Sequence, residues 1–87
     1  MLTFEKFSIS PMKIRVLFTK IILNNIQNAS LDENYLEDKR YKKALKLFQK
    51  NNNLGENCML TRGTFDALIS NFPTYNELWN DLKKMRW

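Results

Sequence analysis

The sequence predicts an all-α fold, a small bundle of three to four amphipathic helices with either a short strand or a turn at its N-terminal end. Apolar residues recur at helical spacing in four segments, and a helix-start signal precedes each of them. A composition of 44% hydrophobic and 26% charged residues is too apolar for intrinsic disorder. At 87 residues the chain reads as a single domain, 1–87. A domain of that size buries roughly 60–65% of its unfolded surface and leaves no room for a separate catalytic unit.

Leu2 to Phe4 reads either as a short strand or as a helical turn with Phe4 and Phe7 on one side. Ser10-Pro11 marks the next start, because serine can cap free N–H groups and proline at the first helical position lacks a donor that would be orphaned there. The helix predicted from Pro11 to about Asn28 carries Ile14, Leu17, Phe18, Ile21, Ile22 and Ile26 on one stripe, widened by Met12, Val16 and Leu23. Only Lys13, Lys20, Asn24 and Gln27 form a polar strip. A helix apolar on most sides is either the centre of a bundle or needs a partner chain to finish its burial.

Ser30 to Glu33 has the form of a capping box and predicts a second helix that either runs unbroken to Lys50 or restarts near Asp38. Tyr41, Ala44, Leu45 and Phe48 give it a core face, with Leu31 and Tyr35 on a compatible side, and Gly55 is the expected residue of positive φ beyond its end. Thr61 or Thr64 caps a short helix bearing Phe65, Leu68, Ile69 and Phe72. Pro73 follows, and then a second capping box, Thr74 to Glu77, opens a last helix with Tyr75, Leu78, Trp79, Leu82 and Met85 on one face, running to Trp87. Asn57 to Leu60 has the character of a short strand.

Several functions are excluded by what the chain lacks. Without histidine it has neither the usual general base nor the usual metal ligand, and one cysteine, Cys58, supports neither an intramolecular disulfide nor a zinc site. Gly55 and Gly63 are too few for a phosphate-binding loop. No metal, cofactor or catalytic group is expected, and the protein reads as a non-enzyme. Residues 1–9 do not have the form of a signal peptide. The apolar run Ile14 to Ile26 is broken by Arg15, Lys20, Asn24 and Asn25 and is short of the ~20 residues a membrane span needs. A cytoplasmic protein with no membrane role is therefore expected.

The net charge of +5 resolves into patches. Lys39, Arg40, Lys42, Lys43, Lys46 and Lys50 place six cations in twelve residues with no acid among them. At ~100° per residue the five lysines fall within an arc of about 100° flanking the core stripe, a ridge suited to a phosphate backbone. Lys83, Lys84 and Arg86 form a second patch, and Trp87 beside them is a candidate interface anchor. The competing explanation is a solvated face that binds nothing. Asp32, Glu33, Glu37 and Asp38 at the start of a helix and lysines toward its end would match the helix macrodipole, and the charges would serve solubility, without any ligand.

The last two predicted helices are short and closely joined. The pair around Pro73 resembles a helix-turn-helix in outline, with Asn76, Asn80, Lys83, Lys84 and Arg86 as its polar set, but Glu77 and Asp81 share that surface and the turn lacks glycine. The remaining aromatics sit at core spacing and are expected to pack rather than stack on bases. The leading expectation is a small binding protein that engages nucleic acid, or a nucleic-acid-processing complex, through the lysine ridge. Eleven asparagines with abundant Lys, Ile and Leu fit a low-GC source such as a low-GC bacterium or one of its phages, and size and composition suit a phage or mobile-element accessory factor or inhibitor. The alternative is a protein–protein module, an inhibitor, immunity-type protein or assembly subunit. It would dock through its apolar first helix or Trp87, self-associate as a homo-oligomer, or meet an acidic protein surface with the ridge.

Overall fold

The structure, a computed structural model, describes residues 1–85. Those residues form α1 (Phe4–Ser8), α2 (Met12–Gln27), α3 (Lys39–Asn51), α4 (Arg62–Ser70) and α5 (Tyr75–Lys83), with no strand among them. Five helices therefore stand where three to four were expected. The extra one is the N-terminal turn, where Thr3 Oγ1 accepts from the Lys6 N–H and the Phe4/Phe7 spacing sets one face inward. Asn57 to Leu60 is irregular rather than extended, because Cys58 sits at φ 57°, outside the β region.

α2 is the central helix. Ile14, Val16, Leu17, Phe18, Ile22 and Leu23 are buried, and α3 and α5 both pack against it. Most of its apolar circumference is thus covered within the chain, while Met12 stays 46% exposed. Phe7 is the hub of an aromatic cluster, with ring centroids 5.7 Å from Phe18, 4.9 Å from Phe65 and 5.6 Å from Trp79. Trp79 in turn meets Phe18 edge-on at 5.2 Å. Tilted and edge-on rings satisfy their quadrupoles while burying large apolar areas. The short α1 thereby ties α4 and α5 to the centre.

The polar strip of α2 is turned inward except at Lys13, which is exposed. Lys20 is fully buried, donating from Nζ to Asn34 Oδ1 at 2.7 Å and to Asp38 Oδ2 at 3.1 Å, beneath the Tyr41 ring. Asn24 accepts the Leu31 N–H at 2.7 Å and donates to the Leu31 carbonyl at 2.9 Å. Gln27 donates to the Ala44 carbonyl at 3.0 Å, and the Lys13 ammonium lies 4.8 Å from the centre of the Tyr35 ring. Lys20 and Asn24 thereby seat an irregular strap, residues 28–38, Lys20 through the Asn34 and Asp38 side chains and Asn24 through the Leu31 backbone.

That strap replaces the expected capping-box helix. Asn28 and Ser30 adopt left-handed conformations, φ 49° and 53°, which turn the chain back along α2 and prevent Ser30 from capping. Leu31 reaches the core, whereas Tyr35 is about half exposed. α3 starts at the later of the two positions considered, with Asp38 Oδ1 accepting the Tyr41 N–H at 2.9 Å. Two other caps differ from expectation. The Ser10 hydroxyl donates back to the Lys6 carbonyl at the end of α1, and Thr74 makes no side-chain cap.

At the far end of α3 the Leu54 N–H donates to the Gln49 carbonyl at 2.8 Å and the Asn53 N–H to that of Lys50 at 3.2 Å. This is a Schellman closure, and Asn53 at φ 57°, not Gly55, supplies its left-handed residue. Gln49, fully buried, spreads four hydrogen bonds over the following loop and α4. Its Nε2 donates to Asn57 Oδ1, the Met59 carbonyl and Thr64 Oγ1, and its Oε1 accepts the Cys58 N–H. Thr61 caps α4 through the Thr64 N–H. α5 ends at Lys83, short of the expected Trp87, and Met85 lies beyond it, exposed.

Candidate nucleic-acid interface

Tyr41, Leu45, Phe48 and Gln49 bury one side of α3. The opposite side carries Lys39, Lys42, Lys43, Lys46 and Lys50, all exposed, with Arg40 exposed at their flank. Over the eleven steps from Lys39 to Lys50 the row rises about 16 Å. Among the described residues none of these six cations lies within ion-pairing distance of a carboxylate; the two ion pairs present are Lys20–Asp38 and Arg62–Glu5. The ridge therefore projects unneutralised positive charge along the length of the helix.

The boundaries of α3 bear directly on the dipole explanation. Asp32, Glu33 and Glu37 lie in the strap, outside the helix, and only Asp38 reaches its N-terminal end. Its carboxyl is held below the usual value, first by the Tyr41 N–H bond and then by Lys20, so it stays ionised. The first turn is cationic, Lys39 and Arg40, which is the end where the macrodipole disfavours positive charge. Of the ridge lysines, Lys50 alone stands in the last turn. Dipole matching accounts for Asp38 and Lys50 and leaves the other lysines either to solvation of the face or to a ligand.

Beside the ridge lies a groove of about 390 Å³ that the charge pattern alone did not point to. Gln27, Asn28 and Ala29 form one wall, and Arg40, Lys43, Ala44 and Leu47 form the other. Leu47 is 51% exposed. Its signal was present in the helical projection, where it falls between Lys43 and Arg40 and away from the core stripe. Arg40 is steadied by donating to the Ser30 carbonyl at 2.6 Å.

The other expected site residues are less concentrated. Lys83 and Lys84 are exposed at the end of α5, near exposed Glu77 and Asp81. Arg86 and Trp87 lie outside the described residues. Asn76, one of the polar set considered for base contacts, is half-buried and accepts the Leu2 N–H at 2.7 Å, so it is committed to holding the N-terminal segment.

A second concavity of about 340 Å³ lies between the start of α2 and residues 58–61, with Met12 and Met59 exposed at its rim and Arg15 and Glu37 on its walls. Burial, helped by Glu37 and Cys58, pushes the Tyr41 phenol far above its ordinary value, so it remains neutral. The Cys58 thiol is half-buried, 3.4 Å from the Lys42 carbonyl. No helix among the described residues is long and apolar enough to cross a membrane. Compared with protein families, with curated proteins and with solved structures, the chain matches none.

Proposed function

We propose that this is a small helical binding protein that engages the phosphate backbone of nucleic acid, free or within a nucleoprotein complex, through the Lys39–Lys50 face of α3. It acts by binding and not by covalent chemistry, inside the cell, as an accessory factor or inhibitor of nucleic-acid processing. The observation that carries this reading is the unpaired, solvent-facing lysine row that begins in the first turn of α3, where the helix dipole opposes it. Lysines release counterions from phosphates and position a strand without reading its sequence. Lys83 and Lys84 supply a second, weaker contact.

The test is fluorescence polarisation of labelled duplex and single-stranded DNA and RNA at low salt, with wild type and with Lys42→Glu, Lys43→Glu and Lys46→Glu combined. All three side chains are exposed, so the variant keeps its helical circular dichroism. Binding by wild type and its loss in the variant are expected. Absence of binding by wild type at low salt overturns the proposal.

A second reading, docking on another protein, is favoured by one observation. Met12 and Met59, 46% and 62% exposed, rim the cavity by Tyr41 and offer an adaptable apolar surface. Light scattering with wild type and Met59→Lys tests its self-associating form: a dimer dispersed by the substitution supports it, and a monomer in both counts against it.

A further inference from the structure

We propose that the groove between the C-terminal end of α2 and α3 receives an unpaired nucleobase, making the protein a binder of single strands in preference to duplex; this rests on the phosphate-binding reading of the lysine ridge. The groove adjoins the ridge and shares Lys43 with it, so a strand whose phosphates follow the lysines passes its bases over this opening. Its volume of about 390 Å³ lies in the range of small-molecule sites.

The lining matches a base better than a peptide. Leu47 and Ala29 give short apolar surfaces for the two sides of a flat ring. The Asn28 carboxamide at the rim has both donor and acceptor groups, the pairing a base edge presents. Arg40 and Lys43 stand at the wall for the flanking phosphates. An acidic amphipathic helix would need apolar anchors over two turns, and here a single leucine with two alanines is all the apolar surface offered. Duplex DNA keeps its bases stacked inside and would use the ridge alone.

The experiment compares three labelled probes of equal length: a single-stranded oligonucleotide, the same strand with abasic residues throughout, and the duplex. Wild type is tested beside Asn28→Gly, which keeps the left-handed backbone at φ 49°, and Leu47→Ser. The base-containing strand should bind roughly tenfold more tightly than the abasic one, as expected from one apolar face and one hydrogen bond. Each substitution should shrink that ratio while leaving abasic binding unchanged. Equal binding of all three probes by wild type overturns this inference and leaves the ridge reading intact. Failure of every probe at low salt removes both. An acidic, leucine-containing peptide that binds more tightly than the strand, and loses affinity with Leu47→Ser, assigns the groove to protein instead.

Discussion

Gln49→Leu isolates the polar bracket that fixes the back of α3. The side chain is fully buried and makes four hydrogen bonds at 3.0–3.1 Å. Leucine has nearly the same size, so the change removes the bonds with little cavity formation. Two partners, Asn57 and Met59, belong to exposed residues, where water takes over. The other two, Thr64 Oγ1 and the Cys58 N–H, are buried and half-buried, and an orphaned neutral group costs about 1–3 kcal/mol. Thr64 retains the Thr61 hydroxyl at 3.2 Å, which lowers its share. The expected loss is about 2–4 kcal/mol, a fall in Tm on the order of 10–20 °C for a domain of this size. Urea denaturation followed by circular dichroism at pH 7 measures it, with an unchanged m-value. Gln49→Glu should be worse at neutral pH, because a carboxylate cannot donate to the three acceptors that Nε2 now serves. Its folded-state pKa would be raised, so the deficit grows as pH rises and fades below the ordinary glutamate value near ~4.3. A Gln49→Leu variant within ~0.5 kcal/mol of wild type would refute the bracket as a source of stability.

Phe7→Ala should cost about 3–5 kcal/mol and red-shift Trp79 fluorescence, because Phe7 touches Phe18, Phe65 and Trp79 at once. Asp38, with its pKa depressed, contributes stability that is complete above the ordinary value of 3.8 and is lost as pH falls below it. Asp38→Asn should therefore flatten the acid limb of a Tm against pH curve, while a limb as steep as that of wild type contradicts the assignment. Tyr41, with its pKa raised, favours the fold below the ordinary value of 10.0 and opposes it as pH climbs further. One tyrosine should ionise, by absorbance near ~295 nm, only as the protein unfolds in alkali, and Tyr41→Phe should delete that phase.

The helices that bury one clean stripe were legible in the sequence. α2, α3 and α4 lie within a few residues of where Ile14 to Ile26, Tyr41 to Phe48 and Phe65 to Phe72 place them, with Phe72 falling just beyond the end of α4, because helical spacing of large apolar groups is a local property. The strap was not legible. Ser30 to Glu33 has the composition of a capping box, but Lys20, Asn24 and Gln27 sit one or two turns apart on α2 and satisfy the strap and the Ala44 carbonyl from outside. Such long-range bonds outweigh a local cap worth about 1 kcal/mol. Lys20 shows the same limit, since a lysine on a polar strip reads as solvated until Asn34 and Asp38 are seen to close over it. For the candidate interface, every lysine of the ridge was found from spacing alone. The groove was not, because one wall comes from α2 and the other from α3. Leu47 was its only local trace.

The most direct test of phosphate engagement by α3 is the slope of log Kobs against log salt concentration for wild type on a single strand and on duplex. Five lysines meeting five phosphates predict a slope between about −3.5 on the single strand and −4.5 on duplex. Combining Lys42→Glu, Lys43→Glu and Lys46→Glu should abolish measurable binding. A slope near zero, or one that the triple substitution leaves unchanged, would contradict the account.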